Sequence, residues 1–194
     1  MATRAIKNKG TVALLSAFAG LAWAGVIGFG VIYNVGAYGF WFPGRLLVYV
    51  LLLAAPALTF MPIGRMLSAS WYGWLAITGW FIFGFMLLFT PPNPTQRWQE
   101  NLPSMVLFLL GLLLVIYSIS WPAFYLLGFR LYKTRVARYN MLRPHREAAF
   151  LSIYVISIFT MGALRLLNST FIFALFLIFL AIELLILSRG KQNS

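Results

Sequence analysis

Long apolar runs separated by short polar connections are the feature that most constrains how this chain folds. Six runs of roughly 18–26 residues are each long enough to cross a hydrocarbon core about 30 Å thick. Their approximate bounds are 11–36, 45–64, 70–90, 104–128, 148–167 and 170–188. Backbone polar groups must be satisfied within a segment in lipid, and the alternating pattern of a β-barrel is absent. The sequence therefore predicts an all-α integral membrane protein, a bundle of about six transmembrane helices.

The composition supports a membrane environment. Hydrophobic residues make up 62% of the chain and charged residues 9%, whereas soluble domains average about 45–50% apolar and about 25% charged. A soluble domain of this size could not bury so much apolar surface. We expect one polytopic membrane domain over residues 1–194, with a Pro-rich outer loop at 90–103 and a basic cytoplasmic loop at 129–147.

The distribution of basic residues predicts orientation. Lys and Arg accumulate on the cytoplasmic side of membrane proteins. A cytoplasmic N-terminus places twelve of the fifteen basic residues on one face and leaves Arg45, Arg97 and Arg165 on the other. We therefore expect both termini in the cytoplasm and a multi-pass protein of a bacterial-type inner (plasma) membrane.

The basic loop has several interpretations. Its cationic residues are Arg130, Lys133, Arg135, Arg138, Arg143 and Arg146. Orientation alone, anionic lipid headgroups, or an acidic protein or RNA surface could each explain them. Nucleic acid is the least favoured partner, because no RNA-binding module is recognisable. Tyr132, Val136 and Tyr139 recur at helical spacing, as in an interfacial helix that Pro144 would end.

Small residues at four-residue spacing mark one face of the first helix. They are Ser16, Gly20, Ala24 and Gly28. Small side chains let a second helix approach closely, which is a principal source of helix association in lipid. The pattern predicts a helix-docking face, whose partner is either another helix of this chain or another membrane subunit.

Two charged residues near predicted helix ends are further candidates. Glu183 lies in the last apolar run, where a carboxylate is costly unless it faces protein or water. It could carry a proton, bind a cationic substrate, or pair with a basic residue. Arg165, near the outer end of the fifth run, is expected to reach lipid headgroups or contact another polypeptide.

The shortage of reactive side chains limits the chemistry. With three acidic residues, one histidine and no cysteine, bis-histidine haem ligation, a dinuclear metal centre and a Ser-His-Asp triad are not expected. We expect no metal site, while a lipid is possible as a bound cofactor. Trp80 lies inside the third run, where its indole N–H needs a partner and its ring could pack or stack on a chromophore or quinone.

Three functional classes remain open. The favoured prediction is a non-catalytic membrane subunit that packs into and stabilises a larger complex, with lipid or cofactor contacts at helix interfaces. The alternative is a substrate-binding or transport module for a small solute, with Glu183 as its intramembrane polar group. With six predicted helices, 194 residues and both termini predicted inside, the chain is similar in outline to the substrate-binding components of energy-coupling-factor vitamin transporters. An intramembrane enzyme is the least favoured, because general acid–base catalysis needs positioned proton carriers.

Overall fold

The computed structural model describes residues 9–90, 102–131 and 141–190, without the side chains of Lys9, Glu183, Leu184 and residues 186–190. All regular secondary structure in these ranges is helical. The helices are α1 (Lys9–Gly25), a π-helical segment (Val26–Ile32), a 3-10 turn (Val35–Ala37), α2 (Pro43–Met66), α3 (Ser70–Phe89), α4 (Leu102–Leu131), α5 (Leu142–Ala163) and α6 (Ser169–Gly190).

Five helices in the described ranges are long and apolar enough to cross a membrane. They are Gly10–Ile32, Pro43–Met66, Ser70–Phe89, Leu102–Leu131 and Leu142–Ala163. The part of α6 that could be assessed, Ser169–Ile182, is apolar but shorter than these five helices. The described residues thus form an all-helical protein, and its five long apolar helices indicate a multi-pass membrane protein.

The first helix ends earlier than its apolar run. The π-helical segment continues α1, and the Tyr33 N–H donates to the Gly28 carbonyl at 3.1 Å. Asn34 then adopts a left-handed conformation with φ 46°, before the 3-10 turn begins. The helix therefore ends at Ile32 instead of near residue 36, because a backbone reversal ends it while the side chains stay apolar.

The fifth helix begins earlier than predicted, at Leu142 instead of near 148. Pro144 lies in its first turn, where the missing N–H would have no intrahelical partner in any case. Pro144 therefore belongs to the first turn of this helix, whereas we expected it to end a preceding interfacial one. Tyr132, Val136 and Tyr139, the stripe of that interfacial helix, lie outside the described residues.

The chain groups into two compact units that divide within α4. Unit 1 comprises residues 1–118 and unit 2 residues 119–194. The core of unit 1 contains Val26, Val35, Val48 and Leu52, against which Leu51, Phe81, Leu88 and Phe89 pack. This core joins the end of the first helix to the first half of α2 and the second half of α3.

Glycines allow the helices of unit 1 to approach closely. A Cβ added to Gly25 would lie 2.8 Å from Leu51 Cδ1, and one added to Gly30 would lie 2.7 Å from Leu88 Cδ1. A Cβ on Gly111 of α4 would meet the backbone nitrogen of Phe83 in α3 at 2.7 Å. Helix packing in this unit therefore depends on residues without side chains at these contacts.

In unit 2, aromatic rings join α5 to α6. The Tyr154 and Phe179 ring centroids lie 5.8 Å apart, and those of Phe150 and Phe179 lie 6.1 Å apart, both in edge-to-face arrangements. Such pairs stabilise packing beyond the area that they bury. Many apolar side chains of α6 remain exposed, including Phe173 and Ile178, so this helix presents a broad apolar surface.

Candidate functional site

The predicted docking face of the first helix lies on the surface. Ser16, Gly20 and Ala24 are exposed, and Gly28 is half-buried within the π-helical segment. A Cβ built on Gly20 or Gly28 would meet no atom of the described residues within 4 Å. The Ser16 hydroxyl donates to the Val12 carbonyl at 2.9 Å, which satisfies it within its own helix. We call these four residues the small-residue stripe.

A different face of the same helix carries the packing inside unit 1. Ala22, Val26 and Gly30 are buried, and Gly25 contacts Leu51 of α2. Small residues thus occur on both faces, but only one of the two is covered in the described structure. The internal partner that we considered for the small-residue stripe is not found among the described residues.

Arg45 lies in an aromatic setting at the start of α2. Its guanidinium carbon is 4.6 Å from the centroid of the Phe89 ring and 5.9 Å from those of Phe40 and Tyr49. Its Nε donates to the Tyr49 hydroxyl at 2.7 Å, and its Nη1 donates to the Tyr38 carbonyl at 2.7 Å. We call this group the Arg45 cage.

The Arg45 cage was not predicted from the sequence, in which Arg45 served only as a charge that indicates orientation. Two local signals were present. Arg45 and Tyr49 are four residues apart, so they lie on the same side of a helix. The aromatic residues 38–42 precede Arg45 directly. Phe89 could not be assigned, because only the packing of α3 against α2 brings it to the guanidinium.

A second aromatic cluster lies where α1, α2 and α3 meet. The ring centroids of Trp23 and Trp80 are 4.8 Å apart in an edge-to-face arrangement. The Phe60 ring stacks on Trp80 with a centroid distance of 6.1 Å. The Trp23 indole N–H donates to the Thr59 hydroxyl at 3.1 Å, and this hydroxyl donates to the Ala55 carbonyl.

The Trp80 indole nitrogen is buried and has no hydrogen-bond partner among the described residues. An unsatisfied buried donor costs free energy, so Trp80 adds no polar anchor to the fold. Its ring instead contacts protein rings, including Phe83 at 6.5 Å. This geometry is that of side-chain packing, and stacking of a chromophore or quinone there stays a prediction.

Only some of the basic residues that we predicted to contact lipid headgroups or a partner lie in the described ranges. Arg130 is exposed in the last turn of α4, where a cation interacts favourably with the helix dipole. The Arg143 Nε donates to Glu147 Oε1 at 2.6 Å, so this cation already has a counter-charge one turn away in α5. Arg146 is half-buried in the same helix. Lys133, Arg135 and Arg138 lie outside the described residues.

Arg165 follows the end of α5 in a left-handed conformation with φ 59°. The Leu166 N–H donates to the Met161 carbonyl at 2.9 Å, and the Arg165 N–H donates to the Gly162 carbonyl at 3.0 Å, which is a Schellman-type ending. Arg165 thus takes a position that usually favours glycine. The Glu183 backbone is part of α6, and its side chain lies outside the described residues.

In the described ranges, no three His, Cys, Asp or Glu side chains are grouped so that they could hold a metal ion. The chain matches no protein-family model, no curated protein and no solved structure.

Proposed function

We propose that this protein is a non-catalytic subunit that packs into a larger membrane complex and stabilises it, with lipid contacts at the helix interfaces. The exposed small-residue stripe of α1 carries this proposal. Lipid tails are as apolar as leucine, so helices associate in a membrane through close packing and not through burial of apolar surface. A helix face of small side chains that has no internal partner in the described structure is suited to close packing against a helix of another polypeptide.

The exposed apolar surface of α6 is consistent with the same role. Phe173 is 63% exposed and Ile178 is 55% exposed within this chain. In the membrane such side chains face either lipid or a neighbouring subunit. The stripe and α6 together offer surface from both units for assembly, while the described residues supply few groups for catalysis.

We further propose six spans with both termini in the cytoplasm of a bacterial-type inner membrane. α6 comprises 22 residues, which is enough to cross a hydrocarbon core about 30 Å thick. The basic residues support this orientation, since twelve of fifteen then lie on the cytoplasmic face.

Single-cysteine labelling tests the orientation, because the natural chain has no cysteine. Gly39→Cys lies before α2 and Ser68→Cys lies between α2 and α3, and both positions are exposed. A membrane-impermeant maleimide applied to intact cells should label Gly39→Cys and not Ser68→Cys. The reverse pattern would place the termini outside.

Native mass spectrometry of the protein, extracted gently from its own membrane, tests the proposed role. We expect stoichiometric partner chains to remain bound. Gly20→Leu should remove these partners without unfolding the protein, because a side chain at Gly20 enters open space. Gly128→Leu is the matched control, since an added Cβ at Gly128 of α4 also has no neighbour within 4 Å among the residues that the structure describes.

Two outcomes would contradict the proposal. Retention of the partners by Gly20→Leu would exclude the stripe as their docking face. A lone chain that retains one small molecule would instead favour a substrate-binding or transport module with Glu183 as its polar group. In that case Glu183→Gln should weaken retention of the small molecule.

A further inference from the structure

The Arg45 cage holds a positive charge without a described counter-charge. Arg45 lies in the first turn of α2, which begins at Pro43, and helix N-termini carry a partial positive charge. The ion pair that the structure describes, between Arg143 and Glu147, belongs to α5. A guanidinium at the positive end of a helix dipole is electrostatically unfavourable there, unless an anion joins it.

The guanidinium retains donors for such an anion. An arginine side chain offers five N–H donors in one plane. Two of them bond to the Tyr49 hydroxyl and the Tyr38 carbonyl. The Phe89 ring lies against the guanidinium at 4.6 Å and desolvates it. One N–H on Nη1 and two on Nη2 therefore remain without an acceptor among the described residues. A guanidinium can donate two such N–H groups to a phosphate or carboxylate in a bidentate manner.

The surroundings of Arg45 indicate the origin of the anion. Tyr38, Phe40 and Trp41 are 53%, 53% and 78% exposed, and they precede the first turn of a membrane-spanning helix. Exposed Trp and Tyr at a helix end are typical of the membrane interface, where lipid headgroups lie. Arg45 itself is only partly exposed, so it is accessible from this interface while its ring contacts strengthen its electrostatic interactions.

We propose that Arg45 binds a phosphate group, supplied by a phospholipid headgroup at the α2 end of unit 1. The aromatic residues 38–42 lie at the headgroup level, and the remaining guanidinium N–H groups donate hydrogen bonds to two phosphate oxygens. The cage thereby fixes one lipid molecule against α2 and α3. This proposal is independent of the proposed function, because a subunit, a transporter or an isolated protein could all hold such a lipid.

Native mass spectrometry in detergent measures the binding. Phosphatidylglycerol is titrated onto delipidated protein, and diacylglycerol with the same acyl chains is the phosphate-free comparison. We expect one phosphatidylglycerol to bind about tenfold more tightly to the natural protein than to Arg45→Gln, and diacylglycerol to show no such difference. Arg65→Gln is the matched control, because it removes the same charge from an exposed position at the other end of α2.

Arg45→Lys distinguishes the contribution of the planar, bidentate guanidinium from the contribution of its positive charge. Lysine retains the charge but cannot form the bidentate contact, so its affinity should lie between those of the natural protein and Arg45→Gln. It also keeps the test decisive if Arg45→Gln does not fold, since full affinity in Arg45→Lys would then overturn the bidentate assignment. Circular dichroism and gel filtration establish which variants are folded.

Three results would overturn the proposal. Equal phosphatidylglycerol affinity in the natural protein and Arg45→Gln would make the cage a purely internal contact. Equal affinity for diacylglycerol and phosphatidylglycerol would exclude the phosphate. An Arg45-dependent rise in the unfolding temperature with inorganic phosphate, but not with phosphatidylglycerol, would assign the site to a free anion instead of a lipid.

Discussion

The contact between α3 and α4 at Gly111 allows a quantitative test of helix packing in unit 1. A Cβ added to Gly111 would lie 2.7 Å from the Phe83 nitrogen and 2.9 Å from the Phe83 Cα. Both atoms belong to the backbone of α3, so they cannot rotate away as the end of a side chain can. Gly111→Ala therefore requires the two helices to separate.

The size of the destabilisation by Gly111→Ala can be estimated from these distances. Ordinary Cβ contacts begin at 3.4 Å, so the helices must move apart by about 0.7 Å at this point. A gap of this size forfeits about a quarter to a half of the dispersion energy of each affected contact. Overpacking of a well-packed interior costs about 1–3 kcal/mol. Replacing glycine by alanine inside a helix contributes about 1 kcal/mol in the opposite direction.

Gly128→Ala isolates the second contribution. Gly128 belongs to the same helix, but a Cβ there meets no atom of the described part of the chain within 4 Å. The free energy of unfolding should therefore be about 1–3 kcal/mol lower for Gly111→Ala than for Gly128→Ala. The assay is unfolding with sodium dodecyl sulfate in mixed micelles, followed by circular dichroism.

Equal stabilities of the two variants would refute the reasoning, because they would show that α3 and α4 are not in backbone contact at Gly111. The 5.4 Å contact between the Phe83 and Phe108 rings should weaken together with the helix contact. Gly111→Ala should therefore also change the near-ultraviolet circular dichroism of the folded protein, whereas Gly128→Ala should not.

Three further substitutions test single interactions with the same unfolding assay. Ser68→Gly should stabilise the protein by about 1 kcal/mol, because Ser68 has a left-handed φ of 56° that glycine adopts without steric cost. Thr59→Val should destabilise it by about 1–3 kcal/mol, because the indole N–H of Trp23 loses its acceptor. Glu147→Gln should change stability by less than about 0.5 kcal/mol, since its pair with Arg143 is partly exposed and one helical turn apart.

Matched controls distinguish these effects from general sensitivity to substitution. Ser157→Gly in α5 should destabilise the protein by about 0.5 kcal/mol, because Ser157 lies inside a right-handed helix, where glycine is less favourable than serine. A loss at Ser68→Gly as well would contradict the strain argument. Thr78→Val, at an exposed position of α3, should be nearly neutral. A similarly small effect of Thr59→Val would show that its hydroxyl does not stabilise the protein, and a large loss in Glu147→Gln would show a role beyond a surface ion pair.

The positions of the central spans could be predicted closely from the sequence. Apolar runs at 45–64 and 70–90 correspond to α2 at Pro43–Met66 and α3 at Ser70–Phe89. Span length is set by the thickness of the bilayer and by helical rise, and both constraints appear in composition alone. α2 also contains Pro56 and Pro62, which membrane helices tolerate because neighbouring groups satisfy the freed backbone carbonyls.

Helix ends were predicted less well, since they depend on backbone conformation. The chain around Asn34 stays apolar while the helix ends, and the polar residues around Pro144, which include Arg143, Arg146 and Glu147, belong to α5 although they resemble a loop. A hydropathy pattern reports which solvent a segment prefers. It does not report where a residue adopts a left-handed φ or where a proline begins a helix.

The sequence by itself determined that this is an all-helical membrane protein with small-residue faces and few reactive groups, because transfer into lipid is a property that each segment has alone. Only the tertiary structure decided which small-residue face is covered. Gly25 and Gly30 pack against Leu51 and Leu88, while Gly20 faces open space. Likewise, Arg45 and Phe89 meet only because α2 packs against α3. Spacing along one helix defines its faces, but the choice of neighbour for each face depends on how residues from distant segments fit together.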